Sequence, residues 1–259
     1  MTTMVLGVIP ARLGSSRLPR KPLHPIAGRP LIEWVWRRAL DIGAFDDVVI
    51  ATDAPEVAEA ARRFGAEVEL TRADHPSGTD RVAEVARRER WRGYGIVANV
   101  QGDEPFLSAE HAEAAVALVR DGGWEVGTVA SPIASAAEWR EASVVKVVRG
   151  DDGGALLFTR APVPHPRDAE PDFSSALYLR HVGLYVYRRD ALLRWVSLPE
   201  AALERVEKLE QLRALAAGIR IGVAVGAPAE GGVDTPADAA RAERILTETE
   251  PSGLEHART

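Results

Sequence analysis

The segment "MVLGVIPARLGSSRLPRKPL", residues 4–23, joins an apolar run to a loop with four cationic side chains and no acidic one. Residues 4–9 are apolar and partly β-branched, which predicts a buried β-strand. The cations of the loop are Arg12, Arg17, Arg20 and Lys21. Folds built on a parallel sheet bind ligands at the carboxyl ends of their strands. The segment therefore predicts a site for a small anion such as a phosphate group, and a solvated basic loop is the alternative.

Strand and helix patterns alternate through the first half of the chain. β-Branched runs such as "DVVIAT" at 47–52 and "YGIVANV" at 94–100 are separated by helical segments such as "LIEWVWRRALDIG" at 31–43. This order is typical of a parallel sheet wound with helices. We therefore predict an α/β fold with an open, mainly parallel sheet and helices on both of its faces.

The pattern changes after about residue 122. Short strands are then separated by hairpin-like segments, including "RGDDGG" at 149–154, which predicts a mixed-sheet insertion. The predicted division is an α/β core of residues 1–124 and 197–247, an insertion of residues 125–196, and a frayed tail of residues 248–259.

Capping signals predict where three helices begin. The residue pairs with the spacing of a capping box are Asp53 with Glu56, Ser197 with Glu200, and Thr235 with Asp238. Apolar residues at Leu203, Val206, Leu209 and Leu212 predict that the helix after Ser197 continues and buries one face.

The composition narrows the possible functions. The 259 residues carry a formal charge of -6, which argues against a nucleic-acid-binding domain. The absence of cysteine excludes disulfides, thiolate metal sites and a cysteine nucleophile. Apolar stretches fall short of the ~20 residues of a membrane span, and the first residues lack the cationic start of a signal peptide. We expect a cytoplasmic protein with no nucleic-acid partner and no membrane span.

Two aspartates lie where a crevice is expected, one just after a predicted strand and one just before a predicted helix. Asp103 follows the run "VANV", and Asp234 directly precedes Thr235. If both line one crevice, their carboxylates provide the hard oxygen ligands that Mg²⁺ prefers. The alternatives are a turn-forming aspartate after Gly102 and a surface acid favoured by a helix N-terminus.

Seven segments, taken together and in order, resemble one enzyme family. They are "IPARLGSSRLPRKPL" (9–23), "ATD" (51–53), "TRADHPSGTDR" (71–81), "NVQGDEP" (99–105), "HVGLY" (181–185), "EKLEQLR" (207–213) and "GVDTP" (232–236). The set resembles the acid-sugar nucleotidyltransferase family, in the branch of the 3-deoxy-manno-octulosonate cytidylyltransferases. The resemblance covers about residues 4–247, and the joint occurrence of the motifs makes it specific.

The resemblance implies a Rossmann-like nucleotidyltransferase fold that transfers CMP from CTP to 3-deoxy-D-manno-octulosonate (Kdo), with release of pyrophosphate. It implies that the core of residues 1–124 and 197–247 binds the nucleotide, and that the insertion of residues 125–196 binds the sugar or forms a homodimer. It also implies Mg²⁺ as the cofactor and a product used in lipopolysaccharide-type glycan synthesis. In this chain "TRAPVPH" replaces a threonine-containing, tryptophan-ended version of the family's segment, and His165 stands at the aromatic position. That loop borders the sugar site in the family.

The family's roles transfer to matching positions of this chain. The implied catalytic residues are Arg12, Lys21 and Asp103, and the implied metal ligands are Asp103 and Asp234. The implied nucleotide-binding residues are Ala11, Arg12, Ser15, Lys21, Ser77, Gly78, Arg81 and Gln101. The implied sugar-binding residues are Gln101, Arg160, His181, Glu210 and Gln211.

Simpler interpretations of these residues remain open from the sequence. Ser77 and Gly78 are also a plain helix start, Arg160 a surface arginine and His181 a core histidine. The residues of 207–211 are also a solvent-facing acidic stripe on one helix. Alternative functions are a cytidylyltransferase for another acidic sugar, such as a sialic or 8-amino-Kdo-like sugar, an enzyme that uses UTP, GTP or a non-acid acceptor, and a non-catalytic nucleotide-sugar-binding protein.

Overall fold

The computed structural model of the chain describes residues 3–15 and 17–249. The strands are β1 (Val5–Ala11), β2 (Pro25–Ile26), β3 (Arg29–Pro30), β4 (Asp47–Thr52), β5 (Glu67–Leu70), β6 (Ile96–Asn99), β7 (Val126–Pro132), β8 (Lys146–Arg149), β9 (Ala155–Thr159), β10 (Leu179–Arg188) and β11 (Ile221–Val225). The helices are α1 (Leu31–Leu40), α2 (Pro55–Arg63), α3 (Gly78–Arg87), α4 (Ala109–Arg120), α5 (Ala136–Arg140), α6 (Arg189–Trp195), α7 (Ala202–Glu207), α8 (Gln211–Ala216) and α9 (Pro236–Thr249).

A twisted central sheet has the strand order β11-β7-β10-β6-β1-β4-β5. β1 pairs in parallel with β4 and β6, and β7 pairs in parallel with β11. β10 is antiparallel to both of its neighbours, β6 and β7, so it runs against the other six strands of this path. The fold is thus α/β with a mainly parallel sheet, as the strand and helix pattern predicted.

Helices cover both faces of the sheet. Apolar residues of α1, α2, α4 and α9 pack on one face, where Ile32 and Val57 are fully buried. Those of α3, α6 and α8 pack on the other face, where Val82 and Leu192 are fully buried. None of the helices among residues 3–15 and 17–249 is long and apolar enough to cross a membrane.

Residues 125–196, the predicted insertion, contribute both to the central sheet and to its margin. β7 and β10 lie inside the central path, between β6 and β11. β8 and β9 form the hairpin around residues 149–154, and β8 meets β10 through Arg180 and Lys146. The mixed character of this region was predicted correctly, and the division into separate units stays a prediction.

The prediction that Asp53 caps α2 is wrong. The residue at the N-cap is Ala54, whose side chain makes no cap hydrogen bond, and Pro55 begins the helix. Asp53 instead pairs with Arg81 of α3, at 2.9 Å. A long-range ion pair therefore uses the carboxylate that the local spacing assigned to a cap. Gly65, with φ +89°, follows Phe64, the C-cap of α2.

The helix predicted after Ser197 is interrupted and starts later. α7 begins at Ala202, where the carboxylate of Glu204 accepts from the backbone N–H of Ala201 at 3.0 Å. Lys208 has the left-handed φ of 54° and separates α7 from α8. The predicted apolar stripe is consequently half wrong: Leu209 and Leu212 are buried, whereas Leu203 is 56% and Val206 81% exposed.

The cap of α9 matches the sequence prediction. Thr235 Oγ1 accepts from the N–H of Asp238 at 3.2 Å, and Asp238 Oδ2 accepts from the N–H of Thr235 at 2.9 Å. This reciprocal pair fixes the chain directly after Asp234. The predicted frayed tail lies, from residue 250 onward, outside the described residues.

Candidate active site

An open cleft of about 540 Å³ lies at the carboxyl ends of β1 and β6. Its wall is formed by the loop after β1, by the segment before α3, by the loop after β6 and by Asp234. The predicted site residues that line it are Ala11, Arg12, Ser15, Lys21, Ser77, Gly78, Arg81, Gln101, Asp103 and Asp234. The topology therefore assembles in one place residues that are far apart in the sequence.

Lys21 lies between two carboxylates in this cleft. It begins a 3₁₀ turn, Lys21–Leu23, and its Nζ donates to Asp103 Oδ2 and, at 2.8 Å, to Asp234 Oδ1. Its side chain is only 15% exposed. Burial alone would lower the pKa of Lys21, but the charges and hydrogen bonds of the two carboxylates raise that pKa above its ordinary value. The lysine is therefore a fixed positive charge.

Arg12 and Arg17 add positive charge with more freedom. Both residues are exposed, and both line the cleft. Arg17 Nη2 lies 3.1 Å from Asp234 Oδ1. Ser15 Oγ accepts from the N–H of Leu18, the residue after Arg17, at 3.3 Å. The cleft thus combines one anchored ammonium group with two exposed guanidinium groups.

Glu104 is a partly buried acid beside the cleft that the sequence analysis missed. It follows Asp103, and burial together with the neighbouring Asp103 charge raises the pKa of Glu104 to about 7. Gly232 packs against the Glu104 side chain and against the carbonyl oxygen of Asp103. No local pattern in "QGDEP" distinguishes Glu104 from a solvated surface acid, because distant segments, including Gly232 and residues 182–184, lie beside its side chain.

The N-terminus of α3 forms the opposite wall of the cleft. Ser77 is the N-cap: its Oγ accepts from the N–H of Asp80 at 3.2 Å and donates to Asp80 Oδ2 at 2.7 Å. Gly78 follows at the first helical position, and an added Cβ would lie 3.5 Å from the ring of Pro10. The structure thus contains the helix start that the sequence predicted, and directs it into the cleft.

His75 and Glu84 form a second pair that the sequence analysis missed. His75 lines the cleft, and its Nε2 lies 2.5 Å from Glu84 Oε2. Partial burial would raise the pKa of Glu84, but hydrogen bonds from the N–H of Arg72, from His75 and from Arg88 lower it to about 2. This ionised carboxylate ties the loop before Ser77 to α3. His75 and Glu84 are nine positions apart, a spacing that is typical of neither a helix nor a strand contact.

Arg81 is committed to contacts within the protein. Its side chain is 5% exposed, pairs with Asp53 at 2.9 Å, and also contacts Thr71 Oγ1. These contacts link α3 to the ends of β4 and β5. Arg81 lines the cleft at its inner side, with its charge already balanced by Asp53.

The loop after β6 passes close beneath β1. A Cβ on Gly102 would lie 2.6 Å from the carbonyl oxygen of Pro10, so no other residue fits without movement of the backbone. This close approach places Gln101 and Asp103 on either side of the glycine. Gln101 Nε2 donates to the carbonyl oxygen of Gly183 at 3.0 Å, which leaves its Oε1 as the acceptor of that amide.

The other residues predicted for the sugar lie outside the lining of the cleft. Arg160 follows β9, and its guanidinium donates to the carbonyl oxygens of Glu207, at 2.8 Å, and of Ala142, at 3.0 Å. His181 on β10 lies 2.9 Å from Thr128 Oγ1, and burial lowers the pKa of His181 to about 3. His181 is therefore a neutral imidazole at physiological pH.

Glu210 and Gln211 lie at the start of α8, beside the α3 wall. Glu210 accepts a hydrogen bond from Thr79 Oγ1, and Gln211 is 5% exposed. Burial raises the pKa of Glu210 against the opposing hydrogen bonds of Thr79 and Ser77. Glu207 belongs to α7, so the sequence-based expectation of one continuous helical face over 207–211 is wrong.

Comparisons with known proteins agree with this geometry. A family profile described as "Cytidylyltransferase" matches residues 6–221. The 3-deoxy-manno-octulosonate cytidylyltransferase of Gemmatimonas aurantiaca is 51% identical over 92% of each chain. That of Syntrophotalea carbinolica is 47% identical over 93% of this chain and 98% of its own.

A solved structure of CMP:2-keto-3-deoxy-manno-octonic acid synthetase complexed with CTP superposes with a TM-score of 0.88. It is 43% identical and covers 96% of this chain and 100% of its own. The similarity to these proteins therefore extends beyond the seven motif segments to nearly the whole sequence and fold. The chain is a nucleotidyltransferase that belongs to the cytidylyltransferase family.

Proposed function

We propose that this protein transfers CMP from CTP to Kdo and releases pyrophosphate. The observation that carries the proposal is the convergence of Lys21, Asp103 and Asp234 in a cleft at the carboxyl edge of the sheet. Two relatives named 3-deoxy-manno-octulosonate cytidylyltransferase align with more than nine-tenths of the chain, which supports CTP as the nucleotide and Kdo as the sugar.

The cations of the β1 loop suit a triphosphate. Arg12 is exposed in the cleft and free to contact phosphate oxygens in the bidentate manner of arginine. Lys21 is a compact charge whose position is fixed by two carboxylates. Nucleotidyl transfer depends mainly on positioning and on neutralisation of charge. These two side chains would stabilise negative charge as it shifts toward the leaving pyrophosphate.

Asp103 and Asp234 fit the requirements of a magnesium site. Their carboxylates approach one cation, the Lys21 ammonium, so they are close enough to share a second one. Within the described chain no three His, Cys, Asp or Glu side chains form a metal site by themselves. Mg²⁺ is commonly held by one or two carboxylates together with substrate phosphates and water. When bound, it would supply charge neutralisation at the phosphates.

We assign the nucleotide and the sugar to two different sides of the cleft. The base would contact Ser77 and Gly78 at the start of α3, where exposed backbone N–H groups face the cleft. Gln101 presents its amide oxygen between the nucleotide side and β10. The sugar would contact the residues that the family resemblance assigns to it, which are Arg160, His181, Glu210 and Gln211.

The reaction is an in-line displacement at the α-phosphorus of CTP. A bond forms between the anomeric oxygen of the sugar and the α-phosphorus, and the bond from that phosphorus to the bridging oxygen breaks. The bridging oxygen leaves with pyrophosphate, and the hydroxyl proton passes to solvent or to a substrate phosphate. The fixed walls of the cleft would hold the reacting oxygen and phosphorus in line.

Pyrophosphate release from CTP, measured with and without Kdo and Mg²⁺, tests the proposal. We expect release only when both substrates and the metal are present. A competition among CTP, UTP, GTP and ATP tests the base, and a panel with sialic acid and 8-amino-Kdo tests the sugar. Faster turnover of another acidic sugar would replace Kdo in the proposal. Tight CTP binding without turnover of any sugar would favour a nucleotide-binding protein instead.

The biological setting is part of the same proposal. CMP-Kdo is an activated acidic sugar, so the product would serve lipopolysaccharide-type glycan synthesis in the cytoplasm. The proposed homodimer would form through the region of residues 125–196. Light scattering during size-exclusion chromatography tests the dimer, and a mass near the 28.0 kDa of one chain would contradict it.

A further inference from the structure

The turn between α7 and α8, residues 207–210, contacts segments assigned to both substrates. Glu207 is the last residue of α7, and Glu210 directly precedes α8. The left-handed backbone of Lys208 between them ends the first helix. The two carboxylates consequently belong to different helix ends and bind different neighbours.

Glu207 holds both the backbone and the side chain around Arg160. Its Oε1 accepts from Thr159 Oγ1 at 2.6 Å, and its Oε2 accepts from the N–H of Arg160 at 2.9 Å. Its carbonyl oxygen accepts from Arg160 Nε at 2.8 Å. Arg160 Nη1 donates to the carbonyl oxygen of Ala142, and Nη2 has no hydrogen-bond partner among the described residues. The guanidinium is thus fixed in place and keeps donor capacity for a ligand.

Two cations, Arg160 and Lys146, lie close enough to Glu207 to act on its carboxylate. Lys146 is fully buried on β8, and its Nζ donates to two carbonyl oxygens, those of Glu141 and Val144. The hydrogen bond from Thr159, opposed by partial burial, and the charges of Arg160 and Lys146 keep the pKa of Glu207 below its ordinary value. The charge of Glu141 also acts on Lys146, whereas Glu207 is the carboxylate that contacts Arg160 directly.

The other end of the turn reaches the wall of the cleft. Glu210 accepts from Thr79 Oγ1, and Thr79 follows Gly78, which lines the cleft. The turn is further held by the pair of Glu204 and Arg213, with contacts of 2.5 and 2.9 Å. A short rigid connection therefore links the α3 wall to Arg160.

We infer that Glu207 is a positioning residue, which holds Arg160 so that its free donors bind the carboxylate of the acidic sugar at a fixed distance from the nucleotide. This inference rests on the proposed function. Arg160 contacts the substrate, and Glu207 acts through Arg160.

Steady-state kinetics of Glu207→Ala test the inference. We expect the KM for the sugar to rise about tenfold, in line with the loss of hydrogen bonds to a charged group. The KM for CTP should change less than twofold. Glu207→Gln keeps one oxygen that can accept from the N–H of Arg160, and its NH₂ group can donate to Thr159 Oγ1, so this variant should recover most of the affinity for the sugar.

Two control variants at or just before α7 distinguish a loss of Arg160 positioning from a general loss of stability. Glu200→Ala alters an exposed residue ahead of α7 and should behave like the unaltered protein. Glu204→Ala breaks the pair with Arg213 without touching Arg160, and should lower the Tm more than it changes either KM. A rise of both KM values together in Glu207→Ala, accompanied by a fall of Tm as in Glu204→Ala, would overturn the inference. So would a Glu207→Ala enzyme that matches Glu200→Ala.

Thr159→Val provides a second route if Glu207→Ala does not fold. It removes the Oγ1 donor to Glu207 while preserving side-chain shape, and should raise only the KM for the sugar, about threefold. An unchanged KM for the sugar in Thr159→Val would also count against the inference. Failure of the proposed function is distinct, because the unaltered protein would then release no pyrophosphate from CTP with any acidic sugar.

Discussion

Lys21 Nζ donates to both Asp103 and Asp234, although these residues are 82 and 213 positions away in the sequence. One ammonium group therefore marks the place where two carboxylates converge beside an anion-binding loop. The arrangement connects the cationic loop after β1 with the proposed magnesium ligands. It also makes each of the three side chains depend on the other two for charge balance.

Asp103→Asn and Asp234→Asn should each lower kcat about a hundredfold or more at saturating Mg²⁺. A neutral amide is a poorer ligand for Mg²⁺ than a carboxylate and does not balance Lys21. Pyrophosphate release as a function of Mg²⁺ concentration measures both effects. Asp151→Asn, in the exposed turn between β8 and β9, is the matched control. Near-normal turnover by Asp103→Asn would rule out its metal role.

Lys21→Met should lower the Tm in EDTA, because two carboxylates then face each other without their shared cation. Added Mg²⁺ should raise the Tm of this variant more than that of the unaltered protein, since the metal no longer competes with the ammonium group. Activity should remain low, because the cation for the phosphates is missing. Arg87→Met, an exposed change on α3, controls for loss of one positive charge. Equal Mg²⁺ shifts in the two variants would contradict the shared site.

Gly102→Ala should strongly reduce kcat while the protein still folds. The new Cβ would lie 2.6 Å from the carbonyl oxygen of Pro10, so the loop that carries Gln101 and Asp103 must move. Gly43→Ala adds the same methyl group in open space and serves as the control. Kinetics and circular dichroism of both variants distinguish local displacement from unfolding. Equal activity of the two variants would show that the close approach is not required.

The sequence was sufficient to predict the sheet and the location of the cleft. Both follow from local patterns: β-branched runs become strands, and the loop after β1 must leave at the carboxyl edge. The antiparallel direction of β10 could not be predicted in this way. Its run "HVGLYVY" has the same β-branched and aromatic character as a parallel strand, and its direction depends on how the chain returns to the gap between β6 and β7.

The sequence predicted least well the contacts of side chains whose local pattern fits one role while the fold gives them another. Asp53 has capping spacing, yet its carboxylate pairs with Arg81, which is distant in the sequence and buried. Leu203 and Val206 have helical spacing, yet Lys208 ends α7 and leaves both exposed. In both cases a tertiary contact or a break in the backbone overrides a pattern that is valid locally.

Glu84→Gln should destabilise the protein at neutral pH by about 1–2 kcal/mol, through loss of hydrogen bonds to a charged group. The pKa of Glu84 is lowered to about 2 from 4.5, so its contribution is fully present above about pH 4.5. This contribution is lost as the pH falls toward 2. The difference in free energy of unfolding between the unaltered protein and Glu84→Gln should therefore shrink over that range. Urea unfolding at pH 7, 5 and 3.5 measures this difference.

The same variant should also raise the KM for CTP, because Glu84 holds His75 at the wall of the cleft. Glu59→Gln, which alters an exposed pair with Arg63 on α2, is the matched control. A difference in stability that is constant from pH 7 to pH 3.5 would show that the ionised carboxylate of Glu84 is not the stabilising form.

Thr235→Ala should lower the free energy of unfolding by about 1 kcal/mol through loss of the α9 cap. Because Thr235 also fixes the chain after Asp234, the variant should need several-fold more Mg²⁺ for half-maximal activity. Ser135→Ala removes a comparable cap, where Ser135 Oγ accepts from the N–H of Glu138 at 3.2 Å on α5. It should cost similar stability without changing the Mg²⁺ requirement. An equal Mg²⁺ requirement in both variants would mean that the cap supports only the helix, and that Asp234 is positioned by its own contacts with Lys21 and Arg17.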